Sequence, residues 1–133
     1  MTELVLDSSA YVQVVGSKRP EHTDLRSRIT AAACHAPHLL DAEVGHVLRR
    51  RVLAGALDAE VARQGLRTLR VFVTHRYEQT GALAEAAWEL RGAITFYDAL
   101  YVALAAALDV PLLTADARLT RAPGLPCQVE LVA

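Results

Sequence analysis

The chain has 133 residues, 53% of them hydrophobic and 22% charged. That is enough apolar material for the core of one domain spanning residues 1–133, and too much for a disordered chain. The net charge of −1 excludes a global positive field, so any grip on nucleic acid must come from a local patch. Cys34 and Cys127, the 2 cysteines, exclude a disulfide framework, and no apolar run approaches a bilayer span. With no basic leader at the N-terminus, a soluble cytoplasmic protein is expected.

Leu4-Val5-Leu6 is a run of β-formers ending at Asp7, and predicts a first buried strand. Ser8 or Ser9 can cap a short helix through Val15, followed by a loop at Gly16–Pro20. Thr23–Ala33 predicts a helix, and Cys34–Ala36 a second strand. Leu39–Ala54 reads as a helix with Leu40, Val44, Val47 and Leu48 on one face and Gly55 as its stop. Asp58 can cap the next helix, whose apolar positions are Val61, Leu66 and Leu69, before a strand at Val71-Phe72-Val73. A helix begins at Thr80 and ends at Gly92. Thr95-Phe96-Tyr97-Asp98 resembles a capping box with Asp in place of Glu, opening a helix that is apolar nearly all round from Ala99 to Leu108. Pro111–Thr114 and Val129–Val132 predict the last two strands.

Short apolar strands between helices indicate a parallel sheet covered on both faces, a three-layer α/β/α domain. In such sheets sites form beyond the carboxyl ends of the strands. Four acids occupy otherwise apolar segments: Asp7, Glu43, Asp98 and Asp116. Each has an ordinary reading by itself. Asp7 can be a helix cap, Glu43 a solvated helix residue, Asp98 the capping acid, and Asp116 a turn residue. Together they point to one rim, because a carboxylate near a core is costly unless it is paired, hydrogen-bonded or bound to a metal. Clustered carboxylates raise one another's pKa, and a divalent ion relieves the repulsion. The dipole of the buried helix should help keep Asp98 ionised. The chemistry that follows is hydrolysis of a phosphate ester, with Mg²⁺ or Mn²⁺ as cofactor.

The local contexts resemble the PIN-domain nuclease family, most closely its VapC-type toxins. The resemblance rests on Leu4-Val5-Leu6-Asp7-Ser8-Ser9-Ala10, on Pro37 to Val44 with Leu48-Arg49-Arg50, on Thr95 to Ala105, and on Leu113 to Leu119. It implies a PIN-like fold and a Mg²⁺- or Mn²⁺-dependent endoribonuclease. Asp7, Glu43, Asp98 and Asp116 match the family's acidic quartet, Asp7 and Asp98 as the most direct metal ligands, with Ser9 and Thr114 in support. It further implies RNA as substrate, a homodimer, a cognate VapB-like antitoxin as partner, and no membrane. A non-toxin nuclease of RNA maturation and a silent binding module of the same fold are the alternatives.

Arg49 and Arg50 could meet RNA phosphates, or simply complement the dipole at a helix C-terminus. Arg118 and Arg121 are further candidates for phosphate contacts. Cys34, His35 and His38 lack a fourth zinc ligand at suitable spacing. Trp88, Tyr97 and Tyr101 read as core or interface residues rather than base-stacking platforms. A dehalogenase-like phosphatase would want a second Asp where Ser9 stands, and a response-regulator receiver a late Lys, whereas Lys18 is the only one.

Overall fold

The computed structural model describes residues 2–132. Five parallel strands form one sheet in the order β3-β2-β1-β4-β5. They are β1 (Glu3–Leu6), β2 (Ala33–Pro37), β3 (Val73–Tyr77), β4 (Leu112–Thr114) and β5 (Val129–Leu131). The helices are α1 (Ser8–Val14), α2 (Pro20–Ala31), α3 (Leu39–Leu53), α4 (Ala59–Phe72), α5 (Ala82–Trp88), α6 (Phe96–Leu108) and α7 (Ala117–Arg121). From β1 the chain moves outward to β2 and β3, then returns across the sheet to β4. Right-handed crossovers therefore put α1–α4 on one face and α5 and α6 on the other. The expected three-layer α/β architecture with a parallel sheet is what the chain adopts. Among the described residues, no helix is long and apolar enough to cross a membrane.

The central strands are apolar because both their faces are covered. Leu4, Val5, Leu6, Leu112 and Leu113 are fully buried. The register Val5↔Leu112 and Leu6↔Leu113 brings the carboxyl ends of β1 and β4 side by side. Between these two strands the winding direction reverses, and such a switch point opens a crevice. Helix α6, buried from Ala99 to Ala105, runs beneath β1 and β2 and presents its N-terminus toward that crevice.

Several elements depart from their predicted places. Pro20 is the first residue of α2 rather than part of the loop, since its fixed φ and missing N–H suit a first helical turn. Val71 and Phe72 belong to α4, and the strand is Val73–Tyr77. As a sheet edge, β3 carries exposed Thr74 and His75 and has no apolar signature. Helix α4 turns Ala62, Gly65 and Leu69 inward and leaves Val61 and Leu66 exposed. Gly65 explains this: a Cβ there would lie 2.8 Å from Val15 Cγ1, and Tyr11 Oη donates to its carbonyl at 2.6 Å. The small residue lets α4 close on α1, so the helix is oriented by fit rather than by its largest apolar residues. The short helix α7 has no apolar period and was not expected.

Candidate active site

Three of the four predicted acids stand at helix N-termini that meet the switch point. Asp7 follows β1 directly and caps α1, its Oδ1 accepting from the Ala10 amide at 2.9 Å. Asp116 lies two residues beyond β4 and caps α7. Asp98 lies in the first turn of α6, where its amide donates to Thr95 Oγ1 at 3.1 Å. Glu43 comes from α3, and its side chain reaches across to the other two elements. Its Oε1 accepts from Tyr101 Oη of α6 at 2.5 Å and from Ser8 Oγ of α1 at 3.5 Å. The capping readings and the shared-rim reading thus describe the same residues.

Ser9 and Thr114 tie the two strand ends together. Ser9 Oγ donates to Asp7 Oδ1 at 2.7 Å, so its single proton is committed. It also accepts from the Ala115 amide at 2.9 Å and meets Thr114 Oγ1 at 3.1 Å. Thr114 is therefore the donor in that pair, while its oxygen accepts from the Asp116 amide at 3.0 Å. This chain of bonds runs from Asp7 to the backbone of Asp116 and fixes the spacing of two acids.

The carboxylates share one electrostatic field centred on Asp98. Asp7 is only 5% exposed. Burial pushes its pKa from 3.8 up to about 6; the Ala10 amide and the Ser9 hydroxyl offset part of this, and Asp98 adds to it. Burial likewise raises Glu43, with a further push from Asp98. Asp98 itself is raised by burial and by Asp116, against the opposing pull of Thr95 and Arg118. Asp116 moves the other way. Arg118 grips it with a two-pronged pair, Nη2 to Oδ2 at 2.9 Å and Nε to Oδ1 at 3.1 Å, and holds its pKa down.

This donor set suits a hard divalent cation: every candidate ligand is oxygen, and three of the four carboxylates are destabilised when ionised. Both protein hydrogen bonds to the Asp7 carboxylate fall on Oδ1. Both to Glu43 fall on Oε1. Among the described residues no group of three or more Asp, Glu, His or Cys side chains is placed to hold a metal ion by itself. The arrangement fits an ion that keeps water in its shell rather than one enclosed by protein.

Two residues near the acids escaped their proper reading. Tyr101, taken as core, is buried and also donates to Glu43; its position one turn after Asp98 on an apolar helix is the available signal. Ser8, taken as a cap, reaches Glu43 as well. Trp88 and Tyr97 are 57% and 61% exposed, not core. Arg49 and Arg50 are exposed on the later turns of α3, and no described contact joins them to the acids. Cys34, His35 and His38 form no metal cluster. Cys34 Sγ donates to the Ile29 carbonyl, and His35 is held by Tyr77 Oη at 2.8 Å and Glu3 Oε1 at 2.9 Å.

A family profile described as PIN domain matches residues 4–125. The chain belongs to the PIN-domain family. It is 51% identical to Ribonuclease VapC1 of Mycobacterium tuberculosis strain H37Rv over 132 residues, 99% of each chain. It is 41% identical to Ribonuclease VapC9 of the same strain over 107 residues, 80% of this chain and 84% of that one. Solved PIN-domain neighbours confirm the fold. VapBC2 from Rickettsia felis, bound to a DNA fragment from its promoter, matches with TM-score 0.72 at 14% identity, over 99% of this chain and 100% of that one. VapC20 of M. tuberculosis, a sarcin-ricin loop cleaving toxin, matches with TM-score 0.68 at 16% identity, over 94% and 98%.

Proposed function

We propose that this chain is a Mg²⁺- or Mn²⁺-dependent endoribonuclease and the toxin of a toxin–antitoxin pair. The reading is supported by the electrostatic coupling of Asp7, Glu43 and Asp116 to Asp98 near the switch point of a PIN-domain sheet. The 51% identity to Ribonuclease VapC1 supports the activity. The VapBC neighbours support a protein antitoxin as partner. The toxin acts as a homodimer in the cytoplasm.

Asp7 and Asp98 would hold the ion directly, with Glu43 and Asp116 reaching it through water. When bound, the ion supplies Lewis acidity at a phosphoryl oxygen and eases deprotonation of water. The chain's own groups do the rest. Glu43, held by Tyr101 and Ser8 through Oε1, has Oε2 available to take a proton from an attacking water. Its raised pKa makes it a more effective base than an ordinary carboxylate. Ser9 and Thr114 keep Asp7 from turning out of the rim. Arg118, opposite Asp116, lies where a phosphate oxygen of the substrate can take over part of its pairing.

The test is cleavage of total cellular RNA by the purified chain, freed of any partner, in Mn²⁺, in Mg²⁺ and in EDTA, beside Asp98→Asn. Discrete fragments that need metal and vanish in the variant are expected. Undiminished cleavage in EDTA, or by Asp98→Asn, would refute the assignment.

A further inference from the structure

Helix α3, which carries Glu43, does not cap itself. The first amides of a helix have no partner within it, and the N-cap residue His38 supplies no side-chain acceptor. The acceptors come instead from the chain at the end of β3, some forty residues later. The Tyr77 carbonyl takes the His38 amide at 2.9 Å, and Gln79 Oε1 takes the Leu39 amide at 2.6 Å. Arg76 adds a two-pronged pair to Asp41 in the same turn of α3, Nε to Oδ2 at 2.7 Å and Nη2 to Oδ1 at 2.9 Å. Its guanidinium also donates to the carbonyls of Leu69 and Val73 at 3.3 and 3.4 Å, which fastens the pair to the C-terminal end of α4.

These attachments grip different sides of one helical turn. Gln79 holds the first amide along the helix axis. Arg76 holds a side chain two residues on, about 200° round the helix. Together they oppose both sliding and rotation of α3 at this end. Glu43 stands four residues after Leu39, on the same face and one turn further along. Its Oε1 meets Tyr101 Oη at 2.5 Å, so a slide of about 1 Å would part them. Among the described contacts neither Gln79 nor Arg76 meets any of the four acids, so both act through the first turn of α3.

We infer that Gln79 and Arg76 are positioning residues for Glu43: the end of the edge strand β3 sets the height and rotation of α3, and so presents the Glu43 carboxylate to the attacking water. The inference rests on the nuclease reading above, in which Glu43 takes that water's proton.

Gln79→Met keeps the length of the side chain and removes the acceptor. Gln79→Glu keeps both, and its charge suits a helix N-terminus. The full chain is assayed in Mn²⁺ on an RNA oligonucleotide carrying a cut site mapped from total RNA. Gln79→Met should lower kcat about tenfold and leave KM unchanged, because a displaced reacting group loses rate rather than substrate affinity. Gln79→Glu should recover most of that loss. Arg76→Lys, which cannot form the fork, should also lower kcat at constant KM. A second readout needs neither metal nor activity. In crystals of the metal-free protein, the Tyr101–Glu43 separation should lengthen past about 3 Å in Gln79→Met and return in Gln79→Glu. Unchanged kcat in both Gln79→Met and Arg76→Lys would overturn the inference, as would a rise in KM alone or a loss that Gln79→Glu does not recover. A Gln79→Met variant that melts lower yet keeps kcat would reduce Gln79 to a helix cap and overturn its role. If the parent cleaves no RNA, the nuclease reading fails and the crystal distances still decide: a lengthened separation upholds the hold on Glu43, and an unchanged one overturns it.

Discussion

Replacing Asp7 with Asn should stabilise the metal-free protein at neutral pH. Burial raises the Asp7 pKa from 3.8 to about 6. That displacement of about two units corresponds to roughly 3 kcal/mol, since one unit is about 1.4 kcal/mol. The sign follows from linkage. The folded state holds the Asp7 proton more tightly than the unfolded chain. The associated stability is therefore fully present below about pH 4, and is lost as the pH rises through about 6. Above that range the folded protein carries the whole cost of a buried carboxylate. Asn keeps an oxygen to accept from Ser9 and Ala10, so the cap of α1 survives and only the charge is removed. The variant should gain up to about 3 kcal/mol near pH 7.5, shrinking toward nothing near pH 4. At about 3 °C per kcal/mol for a chain of this size, the melting temperature should rise by roughly 10 °C at most. Thermal unfolding in EDTA across this pH range is the assay. A constant difference between the two proteins at every pH, or a less stable variant at neutral pH, would show that Asp7 is not the strained group argued here.

Other outcomes follow from the same geometry. Mn²⁺ should raise the melting temperature of the parent, by about 2.7 kcal/mol of stability at one hundred times its dissociation constant; Asp98→Asn should blunt the response, and equal shifts in both would remove Asp98 from the ion's site. Tyr101→Phe removes a donor from Glu43, so the Glu43 pKa should climb further and the rise of activity with pH should move to higher pH, as a pH–rate profile would show. The same change should cost about 1.5 kcal/mol or more in stability, a hydrogen bond to a charged group being lost. Gly65→Ala should destabilise by about 1–3 kcal/mol in urea unfolding, because its Cβ would meet Val15 at 2.8 Å; a neutral result would mean that α4 can shift outward freely.

The parts legible in the sequence are those whose cause is local. Leu4-Val5-Leu6 and Leu112-Leu113 could be read as buried strands because strands covered on both faces must be apolar throughout. Thr95 and Asp58 marked helix starts because a cap acts on amides two or three residues away. The acids stood out because each interrupts such a segment, and the order of strands and helices placed Asp7 and Asp116 at the same edge. What was misread depends on neighbours remote in the chain. Edge strand β3 tolerates Thr74 and His75 because solvent covers what a central strand must bury. Helix α4 faces inward through Gly65 because Val15 and Tyr11 need the space, which no hydrophobic pattern within α4 reveals. Trp88, an indole read as core or interface, lies on the surface beneath Arg91.

The sequence by itself therefore determined the architecture and the inventory of acids, since burial pattern and capping are properties of short segments. Only the tertiary structure decided how those acids differ. Burial raises Asp7, Glu43 and Asp98 while Arg118 holds Asp116 down, and Tyr101 rather than a basic residue secures Glu43. A carboxylate's proton affinity is set by the solvent it loses and the charges it meets. Both come from residues that folding brings together across the sheet, not from those beside it in the chain.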